Sequence, residues 1–278
     1  MPEPKRRKRA AVRAAARRAA RPARGPIAVD VGNSDTVVGW FEGRELKGFW
    51  RLTSGRQTKD ELMLTLRGLL GERLPGGRSG GAGAVLCSVV PALTLPWSEA
   101  LAGVTGKPPI EVSGVTAPDL PIRYHDRSAV GADRIANAIA ARGLYGTPAI
   151  VVDLGTATTF DCVSKSGAYL GGVIAPGVGT SAEELFRRAA RIPRVELRRP
   201  ERALGRTTEE SLRAGILWGA AGQVDALVRR IALEMKGTPH VIATGGWAKV
   251  VVPECETINV VDEGLTLKGM RILWEANR

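Results

Sequence analysis

Histidine, cysteine and long apolar runs are all in short supply here. The two histidines, His125 and His240, leave little for a histidine-based metal centre. The three cysteines, Cys87, Cys162 and Cys255, stand far apart and form no C-x-x-C pair. That argues against a zinc site or a disulfide framework and fits a reducing compartment. No apolar run reaches the roughly 18 residues needed to span a bilayer. The first residues also lack the apolar segment of a secretory signal. No G-x-x-x-x-G-K-S/T segment occurs, so a phosphate site in this chain must be of another kind.

Acidic residues are the minority, 28 against 40 Lys and Arg, for a net charge of +12. The imbalance is local, because residues 1–24 hold ten Lys or Arg and one Glu. The rest of the chain is only mildly basic and is not built as a nucleic-acid binder. The Arg/Ala tail reads as a disordered or partly helical appendage, or as sequence upstream of the true start. Contact with nucleic acid or another acidic surface is the alternative for it.

What is present is a repeated pattern. Ile27-Ala28-Val29-Asp30-Val31-Gly32-Asn33-Ser34-Asp35-Thr36 runs from an apolar strand into Asp-x-Gly and small polar residues. Ala149 to Asp161 does the same, through Asp153-Leu154-Gly155-Thr156-Ala157-Thr158-Thr159. One Asp-x-Gly alone is an ordinary hairpin turn. Two with the same flanks read as one unit used twice, its acidic turns facing each other across a cleft. Glycine lets backbone N–H groups approach phosphate oxygens. Nearby hydroxyls add hydrogen bonds, and a strand-end aspartate can hold Mg²⁺ through its waters. The combination suits a nucleoside triphosphate.

With 278 residues, 44% of them hydrophobic, the chain can form two domains or one large one. Strands are expected at 26–31, 35–42 and 45–52, then a helix over 58–70 with Thr58 and Glu61 as a capping box. A glycine-rich loop at 71–83, a strand at 84–90, a helix near 93–101 and a strand near 110–112 follow. The polar segment Tyr124 to Ser128 leads into Gly131-Ala132-Asp133-Arg134 and a helix reaching Gly143. Asp133 falls in its first turn, where the positive helix end favours an ionised carboxylate able to take a proton. Equally, it is only a cap, with Arg134 pointing to water. Beyond the second acidic turn, strands are expected at 162–165 and 168–174 and a helix over 182–190. Two further helices are expected, from Thr208 and over 215–235. A strand at 240–244 enters Gly245-Gly246, which can admit a flat ring or a phosphate against bare backbone. A strand near 257–260 and a helix over 263–274 close the chain.

Strand hairpins followed by alternating helix and strand indicate an α/β fold with mixed sheets flanked by helices. The opposed acidic turns resemble those of the actin, Hsp70 and sugar-kinase superfamily. That implies a duplicated actin-like (ribonuclease H-like) ATPase fold with lobes at 26–145 and 146–278, after a basic tail over 1–25. More narrowly, the chain resembles a type III pantothenate kinase. The resemblance rests on the two acidic turns, Ser88-Val89-Val90-Pro91, Gly131-Ala132-Asp133-Arg134, Gly172 to Gly177, Gly205-Arg206-Thr207-Thr208 and Thr244-Gly245-Gly246.

The resemblance implies ATP-dependent phosphorylation of pantothenate, with Asp133 as proton acceptor. Asp30, Val31, Gly32, Asn33, Ser34, Asp35, Thr36, Val37 and Thr156 would contact ATP. Tyr124, Gly131, Ala132, Asp133, Arg134 and Thr208 would contact pantothenate. Asp153 would hold a monovalent cation, K⁺ or NH₄⁺, and Asp30 a water-bridged Mg²⁺. A cytoplasmic homodimer with no membrane association, its sites near the subunit interface, is also implied. Two departures stand out: Arg127 replaces a customary proline, and Thr207 a customary Asn.

Overall fold

The computed structural model describes residues 24–74 and 83–278. Nearly all of the expected tail and most of the glycine-rich loop lie outside the described residues.

The first sheet begins with β1 (Arg24–Val31), β2 (Asp35–Glu42) and β3 (Glu45–Thr53), an antiparallel meander. Helix α1 (Lys59–Leu70) starts at Thr58 with the capping box in place. Thr58 Oγ1 accepts from the Glu61 N–H at 3.3 Å, and the Glu61 carboxylate accepts from the Thr58 N–H at 2.7 Å. β4 (Ala84–Ser88) returns parallel to β1. α2 (Pro91–Thr105) then starts earlier than the sequence suggests, because Pro91 sits in its first turn, where a missing N–H costs nothing. β5 (Ile110–Glu111) completes the sheet in the order β3-β2-β1-β4-β5.

α3 (Ala132–Ala140) and a π-helical turn, Ala141–Tyr145, lead to the second sheet. Here β6 (Ala149–Leu154), β7 (Ala157–Val163) and β8 (Tyr169–Pro176) form a second meander. β7 therefore begins inside the polar stretch after Asp153, not at residue 162. α4 (Val178–Arg188) follows. α5 (Thr208–Met235) is one continuous helix of 28 residues, where the sequence suggested two. Its glycines cost roughly 1 kcal/mol each, but Leu212, Leu217, Ala221, Val224, Val228 and Ile231 bury one long face and outweigh them. Thr207 caps this helix, accepting from the Glu210 N–H at 3.2 Å, a task that Thr and Asn both perform. β9 (His240–Thr244), the single turn α6 (Ala248–Val251), β10 (Val260–Val261) and α7 (Leu265–Ala276) finish the chain.

The second sheet, read from its meander, has the order β8-β7-β6-β9-β10. Its first two pairings are antiparallel and its last two parallel, as in the first sheet. One topology is thus used twice.

Strand alternation assigns the faces. Ile27, Val29 and Val31 face an outer core with α1 and α2, while Ala28 faces inward. Ile150, Val152 and Leu154 face an outer core with α5, while Val151 faces inward. Between the sheets lie α3 and α7, whose Ile135, Ala136, Leu265, Met270 and Leu273 join Ala28, Val85, Val151 and Ile242 in a shared central core. The period of two puts Asp30 on the face of Ala28 and Asp153 on the face of Val151. Both carboxylates therefore open into the space between the sheets.

Candidate active site

The first acidic turn is closed by a Gly32 N–H bond to the Asp35 carbonyl at 2.9 Å. Ser54, just past the end of β3, donates to the Gly32 carbonyl at 2.6 Å and pairs with Thr36 at 2.8 Å, which fixes the turn. The second turn is closed by the Gly155 N–H on the Ala157 carbonyl at 3.0 Å. Thr180 of α4 donates to its Thr156 carbonyl at 2.7 Å. The tips of the two turns meet: Ser34 Oγ lies 2.8 Å from Thr156 Oγ1.

Behind this contact is a cleft of about 270 Å³. Asp30, Gly32, Asn33, Asp35, Val37, Asp133, Asp153 and Thr156 line it, as do the Thr244-Gly245-Gly246 turn, Glu263 and Thr266. The three acids expected to share a cavity do share one. Of the remaining first-turn residues, Val31 and Thr36 are buried in the strands and Ser34 is turned onto Thr156.

Each carboxyl is perturbed by its surroundings. Burial, then the negative charges of Asp133 and Asp153, push Asp30 up to about 7, although hydrogen bonding with Cys87 and the charge of Arg51 oppose this. Burial and the charge of Asp133 push Asp153 up to about 6, against the pull of Asn137 and Arg51. Burial also raises Asp133, overcoming the Arg134 N–H that donates to Oδ1 at 2.8 Å. The sequence led to the expectation that the helix end would favour the ionised carboxylate there. Desolvation outweighs the helix end.

Asp153 is held on two sides. Asn137 Nδ2 donates to its Oδ2 at 3.1 Å, and Asn137 itself accepts from Thr266 of α7 at 2.8 Å. On the other side, a Cβ at position 245 would stand 2.5 Å from Oδ1, and Gly245 has φ +94°, so only glycine fits against this carboxylate.

The other expected residues lie elsewhere. Arg134 does not point to water. Its guanidinium donates to Asp161 at 2.6 Å and to the Phe160 carbonyl at 3.3 Å, and all three residues are buried. Tyr169 donates to the same Asp161 oxygen at 3.1 Å. Arg134 thus bolts the first turn of α3 to β7, leaving Asp133 beside it to face the cleft. Gly131 and Ala132 form the start of α3. Tyr124 is exposed and its ring packs beside Gly171, while Thr208 is exposed in the first turn of α5. Neither lines the cleft of its own chain. Arg127 starts a short 3₁₀ turn capped by Asp126, a position where proline would also fit.

Arg51, Asn137, Glu263 and Thr266 were not singled out in the sequence. Asn137 was within reach, since it falls one helical turn after Asp133 and so shares its face. Thr266 and Arg51 carry no such local signal.

A family model described as type III pantothenate kinase matches residues 26–230. A type III pantothenate kinase of Moorella thermoacetica is 48% identical over 255 residues, covering 90% of this chain and 99% of the relative. One from Streptomyces avermitilis is 45% identical over 262 residues, with 90% and 98% covered. Among solved structures, a Campylobacter jejuni protein assigned to the Baf family of transcriptional activators aligns with TM-score 0.54 at 19% identity, covering 90% of this chain and 98% of that one. A Clostridium difficile activator of 2-hydroxyisocaproyl-CoA dehydratase, with bound ADPNP, aligns with TM-score 0.53 at 14% identity, covering 92% and 95%. The fold is the duplicated actin-like ATPase fold.

Proposed function

The chain belongs to the type III pantothenate kinase family, and from that premise we propose how its cleft acts. The reaction is ATP-dependent phosphorylation of pantothenate in coenzyme A biosynthesis. What carries our assignment of residues is a single observation: Asp30, Asp133 and Asp153 line one cleft between two turns of equivalent topology.

Asp133 orients the primary hydroxyl of pantothenate and takes its proton as the new O–P bond forms and ADP leaves. A loose transition state asks little of the base until late. A carboxyl already raised by burial is the better acceptor near neutral pH. The backbone of the Gly32–Asp35 turn and the hydroxyls of Ser34 and Thr156 receive the phosphates from opposite sides.

The donor set also fits cations. Two strand-end carboxylates, those of Asp30 and Asp153, line the cleft beside the phosphate turns. That suits Mg²⁺, which keeps several waters and takes one or two carboxylates together with substrate phosphates. Asp30 would hold it through water, and Asp153 would hold K⁺ or NH₄⁺. Bound Mg²⁺ offsets the charge spread over the phosphate oxygens.

Gly131, Ala132, Tyr124 and Thr208 complete the pantothenate pocket in this reading. The exposed Tyr124 and Thr208 act when a second copy of the chain closes over the site. Support for a homodimer comes from the groove between α4 and α5. It is lined by Pro176, Val178, Leu185 and Ile216, with open space over Gly215 and Gly219. Three free cysteines support a cytoplasmic setting, and no helix among the described residues is long and apolar enough to cross a membrane. The test is ADP release from ATP and Mg²⁺, with and without pantothenate, in K⁺ and in Na⁺. We expect release only with pantothenate, and faster in K⁺. ATP hydrolysis that ignores pantothenate would overturn the assignment.

A further inference from the structure

We infer that Arg51 is the protein's own cationic contact to the triphosphate, a role that rests on the nucleotide site proposed above. The cleft is lined by five carboxylates, those of Asp30, Asp35, Asp133, Asp153 and Glu263. Arg51 is the one cationic side chain among the described residues lining it. A nucleotide carrying several negative charges enters a site that is already acidic. A guanidinium there meets phosphate oxygens with two parallel N–H donors, a geometry that a point charge cannot reproduce.

The placement of Arg51 fits this use. It projects from β3 of the first sheet, yet its guanidinium lies 3.6–3.9 Å from the Cβ position of Gly246, in the turn after β9 of the second. It therefore stands between the first phosphate turn and the glycine turn that faces it.

Arg51 is also free to exchange partners. Nη1 lies 3.1 Å from Asp35 Oδ2, with the two side chains 42% and 44% exposed. An ion pair so open to water contributes little stability. It does, however, park the arginine inside the cleft. The phosphates of an incoming nucleotide carry more charge than one carboxylate and displace Asp35 from it.

The competing description is an ordinary surface ion pair. The two separate on a readout that fold stability does not move, namely discrimination between ATP and adenosine. Full-length parent, Arg51→Gln and Arg51→Lys are titrated with ATP-Mg²⁺ and with adenosine by calorimetry, without pantothenate. Their kcat/KM for ATP is then measured with pantothenate. We expect Arg51→Gln to lose about 100-fold in ATP affinity and in kcat/KM for ATP, with adenosine affinity within about two-fold. Arg51→Lys should recover part of the loss, and it serves as the test if Arg51→Gln does not fold. ATP affinity within two-fold of the parent in Arg51→Gln, with pantothenate kinase activity intact in the parent, would overturn the role while leaving the function standing. A parent that phosphorylates no pantothenate, but whose ATP affinity collapses in Arg51→Gln, would leave the role standing and remove the function.

Discussion

Asp133 owes its usefulness to where α3 begins. Gly131 and Ala132 bring it to the first helical turn, Arg134 anchors that turn to Asp161, and burial raises the carboxyl. Asp133→Asn keeps the size and removes the base. It should lower kcat by about 10²–10⁴, with KM for pantothenate changed only a few-fold, as steady-state kinetics will show. In the parent, kcat should fall with acid at a higher pH than an ordinary aspartate would give, because the raised carboxyl must be ionised to act. Asp30 and Asp153 tie pH to stability. A carboxyl raised in the folded state contributes stability that is full below its unfolded value near 3.8. That contribution is lost as pH rises through about 6 for Asp153 and about 7 for Asp30. Asp30→Asn should therefore be inactive yet more stable than the nucleotide-free parent at pH 8, by on the order of 2 kcal/mol, with little gain at pH 4. Urea unfolding at the two pH values measures this. The acids were legible because each closes an apolar strand before a glycine. Arg51 was not, because it falls on the exposed face of β3, opposite Leu46, Trp50 and Leu52, where a charged residue is the ordinary occupant.

At the level of elements, the critical contact is the crossing of α3 and α7. A Cβ at Gly269 would stand 1.9 Å from the Ala136 carbonyl, so the two backbones meet with no room for a methyl. Gly269→Ala should cost roughly 3 kcal/mol, seen as a lower urea midpoint. It should also weaken catalysis, since the same crossing carries the Thr266 to Asn137 to Asp153 chain of hydrogen bonds. Elements with their own punctuation were legible in the sequence: the β1–β3 hairpins by their turn residues, α1 by Thr58 and Glu61. Those decided by distant packing were not. The unbroken α5 depends on a face buried against the second sheet, and the inward burial of Arg134 depends on an aspartate in a strand not yet placed.

At the level of the whole molecule, a repeated sheet topology was foreshadowed by two matching strand-to-turn segments. How the halves interlock was not, because neither α3 nor α7 betrays its neighbours across so many residues. The α4–α5 groove gives a prediction at this scale. If the proposed homodimer forms through this groove, Gly219→Trp, which fills open space rather than core, should yield monomer in sedimentation where the parent sediments as a dimer. Activity should fall with it if Tyr124 and Thr208 serve across the interface. Helix α7 is the last among the described residues, yet it packs against β1 and β4 in the sheet formed by the first strands. A nascent polypeptide leaving the ribosome therefore cannot finish its early half until α7 is translated. Up to that moment the inner side of the first sheet is exposed to whatever hydrophobic company the cell offers, and a premature stop codon before Leu265 would cripple both halves at once.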